Sequence, residues 1–230
     1  MNDFFPTVCV DNFFDDPQSI KTLSSFFPYE KCPEGIWPGE RTESLHILCE
    51  EVYNQFFSRF FRLYYNFDFE PVNWKASLFF HKTKPYGEDR ELNCGWIHND
   101  DDCVVGGLVY LNEDNDLDAG TSIFSCLDTD KYLESTDRVE LKRKLYRGDE
   151  LDIEDYKKRY RDFESNFVET SRFQNVYNRL VAYDGNTYHR ANSFNGVDEK
   201  ERLALVFFVF EVNAQTVPLR RNEHSTNTQS

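Results

Sequence analysis

The sequence predicts a mainly β protein, an antiparallel sandwich or barrel with helices at its front and a helical insertion in its second half. Three observations carry that prediction. From residue 73 onward, short apolar runs recur with few helical stretches between them. Before residue 62 the apolar residues recur instead at three- and four-residue spacing. Between residues 128 and 176 both charge signs alternate densely, as on a solvated helical face.

The elements follow in order. Residues 1–14 read as an extended lead-in. Asp15-Asp16-Pro17 reads as a helix start, with carboxylates at the cap and Pro near the first helical position, and the helix is predicted to reach Phe26. Residues 28–39 form a Pro- and Gly-rich loop. Residues 43–61 predict a helix with Leu45, Leu48, Val52, Phe56, Phe57 and Phe60 on one apolar face. Strands are predicted at 74–81, 96–98, 104–111, 122–127, 180–183 and 203–212. Asp184-Gly185 is a tight-turn signal. Within the charged segment, 138–147 and 152–167 carry helical patterns. It reads as an insertion between core strands, either a lid over a site or an excursion packed on the outside. The tail from Arg220 is rich in Asn, Ser and Thr without apolar periodicity. The expected organisation is one domain over 1–216, with the helical insertion at about 128–176, and a disordered tail at 217–230.

Composition narrows the function classes. A chain of 230 residues can bury one sizeable core. The formal charge of −15 repels phosphate backbones and anionic membrane surfaces, which argues against general nucleic-acid binding. No stretch approaches the roughly 18 apolar residues of a transmembrane helix, and the start lacks a basic region followed by an apolar run, so the expected location is cytoplasmic. The cysteines at 9, 32, 49, 94, 103 and 126 form no C-x-x-C pair and are expected to be free thiols. The aromatic content of 17% has two readings, a Phe-rich core or a pocket lining.

Four short pieces carry chemistry. The first is His98-Asn99-Asp100: residues two apart on an extended chain point to one side, so an imidazole and a carboxylate can reach one divalent metal. Asp101 and Asp102 follow directly and compete for the ligand role; the two-residue spacing favours Asp100. The second is His189, just after the Asp184-Gly185 turn, where a sandwich or barrel can return it to His98. His46, His81 and His224 are read as ordinary structural histidines. The third is Arg202, at the head of an apolar run, where a guanidinium turned inward would fork onto a carboxylate and one turned outward would meet solvent. The fourth is Gly106-Gly107-Leu108-Val109-Tyr110-Leu111-Asn112, followed by Gly120-Thr121-Ser122-Ile123-Phe124. Here Tyr110 alternates onto the face of Leu108.

The order of H-x-D, a strand ending Tyr-Leu-Asn, Gly-Thr-x-x-Phe, a late His and an Arg on the next strand resembles the Fe(II)/2-oxoglutarate dioxygenases, in particular the prolyl 4-hydroxylase-like branch. The resemblance covers about residues 74–212 outside the insertion. It implies a double-stranded β-helix, or jelly-roll, fold. It implies Fe(II) bound by His98, Asp100 and His189, and 2-oxoglutarate bound by Arg202 with Tyr110 assisting. It implies consumption of O₂ and hydroxylation of a C–H bond in a peptide, amino acid or other small substrate, with release of succinate and CO₂. The gap from His189 to Arg202 is longer than usual in that branch, which predicts a longer turn at Asn195-Gly196. Acids at 100–102, 113, 114, 116 and 118 form a candidate acidic rim favouring a neutral or cationic substrate, or simply a solvated loop. Three other classes stand beside this one: a zinc-dependent hydrolase or isomerase using the same ligands, a non-catalytic jelly-roll binding module, and a cupin-type dioxygenase, which usually carries H-x-H where position 100 here is Asp.

Overall fold

A computed structural model describes residues 5–114, 116–129, 137–196 and 201–218. Its frame is a jelly-roll core. The larger sheet has the order β1 (Val8–Val10), β8 (Leu180–Asp184), β5 (Val105–Tyr110), β10 (Arg202–Asn213), β4 (Asn73–Thr83), β3 (Glu40–Arg41) and β2 (Glu30–Lys31). The smaller has the order β7 (Phe167–Phe173), β6 (Thr121–Cys126) and β9 (Tyr188–Ala191). Neighbours in both sheets are antiparallel.

The period-2 alternation of the strands sorts their side chains onto two faces. On the outer face of the large sheet, Leu78, Phe80, Val105, Val109, Leu205 and Phe207 are fully buried. They pack against α3 (Glu50–Phe61), whose Phe56, Phe57, Phe60 and Phe61 lie along one side. The rings of Phe60 and Phe207 sit 4.7 Å apart at the centre of this contact. On the inner face, Leu108, Val181, Tyr183 and Ala204 meet Ile123 of the small sheet. The aromatic excess therefore serves mainly the helix-to-sheet core, and a smaller share of it faces the interior.

The front of the chain folds largely as its caps predict. Asp16 accepts from the amide of Ser19 and begins α1 (Pro17–Leu23), which tightens into a 3₁₀ turn over Ser24–Phe26. The helix expected over 43–61 is instead two helices, α2 (Leu45–Leu48) and α3, separated at Cys49, whose backbone leaves the helical region (φ −158°, ψ 77°). No Pro or Gly marks this break. It lets Leu45 and the Phe face of α3 reach the same core.

The insertion departs from expectation at its end. It contains α4 (Asp137–Arg147) and α5 (Ile153–Glu164), close to the predicted helices, but residues 167–173 are a strand, β7, that extends the small sheet. Its exposed face carries Glu169 and Arg172, which pair with each other. Charges on an exposed edge strand prevent edge-to-edge pairing, and here they gave the segment the texture of a solvated helix. The strand predicted at 96–98 is reduced to one bridge, between His98 and His189. A second bridge joins Asn195 to Glu201, around the long connection expected between His189 and Arg202. Most of the predicted tail, and His224 with it, lies outside the described residues. Among the described residues no helix is long and apolar enough to cross a membrane, and all the cysteines are free thiols.

Candidate active site

The backbone bridge at His98 and His189 builds the centre of the site. The amide of His98 donates to the carbonyl of His189 at 3.1 Å, and the amide of His189 donates back at 2.8 Å. The two imidazoles therefore lie side by side, with ring centroids 4.4 Å apart. Asp100 is anchored independently, its amide donating to the carbonyl of Gly185 at 2.8 Å. The turn that holds Gly185 is closed by Asp184, whose carbonyl accepts from the amide of Thr187 at 2.9 Å and whose carboxylate accepts from that of Asn186 at 3.0 Å.

These anchors leave one carboxylate facing two imidazoles. Asp100 Oδ1 is 3.7 Å from His98 Nε2, and Oδ2 is 3.5 Å from His189 Nε2. One ligand atom from each residue lies within 4.8 Å of the others. The remaining ring nitrogens are committed: His98 Nδ1 donates to Trp96 O at 2.8 Å and His189 Nδ1 to Thr187 O at 2.9 Å. That fixes the tautomer and turns the Nε2 lone pairs toward Asp100. Burial lowers both imidazole pKa values, aided at His98 by the neighbouring His189, so the rings are neutral and able to ligate. Two imidazoles and a carboxylate on one side, with the opposite side open, suit an octahedral divalent metal. Asp101 and Asp102 both border a separate hollow beside Phe5 and Asp184, and Asp101 also borders one with His98 and Lys142.

The three residues share a cavity of about 140 Å³ with Arg202. Arg202 opens β10, and alternation puts it on the same face as Val206 and Phe208, which also line the cavity. Its side chain is 5% exposed. Nε donates to Ala119 O at 3.2 Å, while one terminal guanidinium nitrogen is buried without a hydrogen-bond partner. Tyr110 is fully buried beside it, its ring 5.5 Å from the guanidinium carbon. The Tyr110 hydroxyl donates to Thr121 Oγ1 at 2.8 Å, and Thr121 lines the cavity. His81 is buried, its Nε2 2.6 Å from Pro38 O, and it too lines the cavity.

The insertion forms one wall. Trp96, two residues before His98, donates from Nε1 to the hydroxyl of Tyr156 on α5 at 2.8 Å. Tyr160, one turn further along, donates to Gly95 O at 3.0 Å and accepts from Arg190 at 2.7 Å. Glu164 pairs with both Arg90 and Arg190. One helix thus grips the chain beside both histidines. From α4, Lys142 and Tyr146 reach the cavity itself.

Several lining residues carried no signal in the sequence. Thr121 lies within a motif that was singled out, but without a role of its own. Arg41 and Lys142 sit on a two-residue strand and on a charged helix, where a cavity-facing cation has the same pattern as a solvated one. Among the described residues Asp100 is the only carboxylate lining this cavity, and the rest of the candidate acidic rim, Asp101 and Asp102 included, is not in its lining. Asp101 borders an adjoining hollow with His98 and Lys142, and Glu113 pairs with Lys21 at the surface.

The layering of the two sheets is a fold shared with solved non-heme 2-oxoglutarate-dependent enzymes. HygX from Streptomyces hygroscopicus, in a structure with nickel, 2-oxoglutarate and hygromycin B bound, superposes with a TM-score of 0.51 and 10% identity, over 90% of this chain and 83% of that one. SnoN, a non-heme alpha ketoglutarate dependent epimerase from nogalamycin biosynthesis, gives 0.50 and 12%, over 94% and 81%. A prolyl-4-hydroxylase from Pseudomonas putida gives 0.47 and 12%, over 89% and 92%. No curated protein matches the chain. The chain belongs to the family of unknown function DUF6445, whose model matches residues 2–205.

Proposed function

We propose that this protein is an Fe(II)- and 2-oxoglutarate-dependent oxygenase, with the metal held by His98, Asp100 and His189 and the cosubstrate by Arg202. One observation carries the reading. Three convergent ligand atoms share a cavity with a buried guanidinium that has an unsatisfied nitrogen. A buried cationic N–H without a partner is costly, and an anionic ligand in the cavity would remove that cost.

The residues fit the cosubstrate's chemistry. Arg202 would bind the distal carboxylate of 2-oxoglutarate. Because Thr121 Oγ1 accepts from Tyr110, its own proton is free to go to that carboxylate. Tyr110 therefore assists through Thr121 and through its ring beneath the guanidinium. The metal and cosubstrate, when bound, supply the activation of O₂ and the oxidation of a C–H bond, with release of succinate and CO₂. His98, Asp100 and His189 would hold the metal, each offering one ligand atom. Trp96 and Tyr146 on the insertion side, with Phe208 opposite, limit water in the cavity. The substrate is a small molecule or a short peptidyl group, as the modest cavity volume suggests; HygX, of like fold, holds the small molecule hygromycin B.

The test is anaerobic addition of Fe(II) and 2-oxoglutarate to the purified apoprotein, followed by visible absorption. The expected result is a weak charge-transfer band of the chelated complex that is lost in His98→Ala. Iron binding without the band would remove the cosubstrate assignment, and failure to bind iron would remove the class.

A further inference from the structure

We propose that Arg41 and Lys142 form an anion-binding site for the primary substrate, which is therefore a small molecule bearing a carboxylate or phosphate group. The inference rests on the oxygenase reading and adds the substrate's charge to it. Both residues line the cavity that holds His98, Asp100 and His189. They arrive from unrelated elements, Arg41 from β3, where it pairs with His81 of β4, and Lys142 from α4 of the insertion.

Arg41 is built in rather than draped over the surface. Its guanidinium carbon lies 4.3 Å from the Trp37 ring centre and 4.7 Å from that of Phe79, with Phe208 at 5.8 Å. Such contacts fix the plane of the fork. They supply no hydrogen-bond acceptor, and its Nε is buried without one. On α4, the neighbouring Lys144 pairs with Glu140 along the helix surface, whereas Lys142 is turned into the cavity. Among the described residues neither Arg41 nor Lys142 has a carboxylate partner within ion-pair distance.

The charge balance of the loaded cavity points the same way. The doubly charged metal and the 2-oxoglutarate dianion cancel, as do Asp100 and Arg202. Among the described residues Asp100 is the only carboxylate in the lining. Among the described lining residues Arg41 and Lys142 are left as two positive charges beyond that balance; Lys142 also borders a second hollow with Asp101 and Arg138, outside ion-pair distance of that carboxylate. Burial lowers the pKa of both, to about 10 for Arg41 and to about 8 for Lys142; at Lys142 the charges of Arg138 and then Arg41 add to the shift, and at both groups Asp100 opposes it. The cost of that arrangement is relieved by an incoming anion, and a planar fork beside an ammonium is the usual donor set for a carboxylate or phosphate.

The experiment uses the full-length protein, loaded anaerobically with Fe(II) and 2-oxoglutarate so that the metal and Arg202 are occupied. It is titrated with propionate, with the neutral isostere propionamide, and with inorganic phosphate, and tryptophan fluorescence is read. Arg41 stacks on Trp37, so Trp37→Phe locates the signal. Saturable binding of an anion but not of propionamide is expected. Arg41→Gln and Lys142→Met should each weaken it at least about tenfold with the iron–cosubstrate band retained, and Lys142→Arg should keep it. Tighter propionate binding identifies a carboxylate substrate, and tighter phosphate binding a phosphate ester. Equal binding of propionamide, no binding of either anion, or loss of 2-oxoglutarate in Arg41→Gln would overturn the proposal. If the band never forms but anions still bind through Arg41, the oxygenase reading falls and the anion site stands.

Discussion

The amide of Asp100 donates to the carbonyl of Gly185 at 2.8 Å, so the carboxylate between the two imidazoles is placed by a turn far along the chain. That turn tolerates no side chain. A Cβ at residue 185 would lie 1.9 Å from Cys103 O and 2.7 Å from Asp100 O. Gly185→Ala is expected to push the H-x-D loop away from His189. It should destabilise the fold by about 1–3 kcal/mol, as overpacking does, and abolish tight metal binding. Urea unfolding together with Fe(II) titration checks both. Unchanged metal affinity would show that the loop position is not set here.

Arg202→Ala separates the cosubstrate from the metal. Loss of a bidentate, charge-assisted contact is expected to weaken 2-oxoglutarate about 100-fold. Fe(II) affinity should stay within about threefold, because Arg202 contacts none of the three ligands. Equilibrium titration of each, done anaerobically, decides. Equal loss of both would remove the assigned role.

Tyr156→Phe tests the wall rather than the centre. It removes the acceptor of Trp96 Nε1 and leaves a buried donor unpaired, a change of about 1–3 kcal/mol. The urea midpoint should fall, with no loss of the iron–cosubstrate band at saturating ligand. A neutral result would mean that water replaces the phenol.

The apoprotein should lose stability as pH falls below about 6.5. Burial, and then the Arg41 charge, hold His81 well below its ordinary pKa, and burial acts likewise on His98 and His189. In this pH window the unfolded chain gains protons that the folded chain refuses, so stability rises with pH from the depressed folded values up to about 6.5 and is level above. Each histidine contributes up to about 1.4 kcal/mol per pH unit. Chemical denaturation at about pH 5 and pH 7.5 measures the slope, and His81→Gln should reduce it by about one histidine's share. The depressed Glu164, at about 2, acts only at lower pH.

What could be read from the residues alone followed from how local each signal is. His98 and Asp100 share a face because of a two-residue spacing, and the Asp184-Gly185 turn announces itself in two letters. The Phe face of α3 and the run of β10 are equally local patterns. The break at Cys49 has no such mark, since only the packing of Leu45 and Phe56 into one core requires it. β7 was concealed because Glu169 and Arg172, which guard a sheet edge, look like a helix surface. Arg41 and Lys142 differ from solvated cations only by what surrounds them in three dimensions. Of the two readings of the acidic loop, a rim or a solvated loop, the local pattern could not choose: nearness to His98 in sequence does not bring Asp101 and Asp102 into the cavity lining.

The bridge between His98 and His189 spans the entire insertion, together with β5, β6, β7 and β8. Contacts of such long sequence separation carry a high loop-closure cost and belong to slow steps of folding. No fragment ending before residue 189 can contain the site, and a chain that has misplaced α5 cannot align its imidazoles. Metal retention is consequently a report on topology: during refolding, its recovery should lag the return of secondary structure and coincide with the last closure of the barrel.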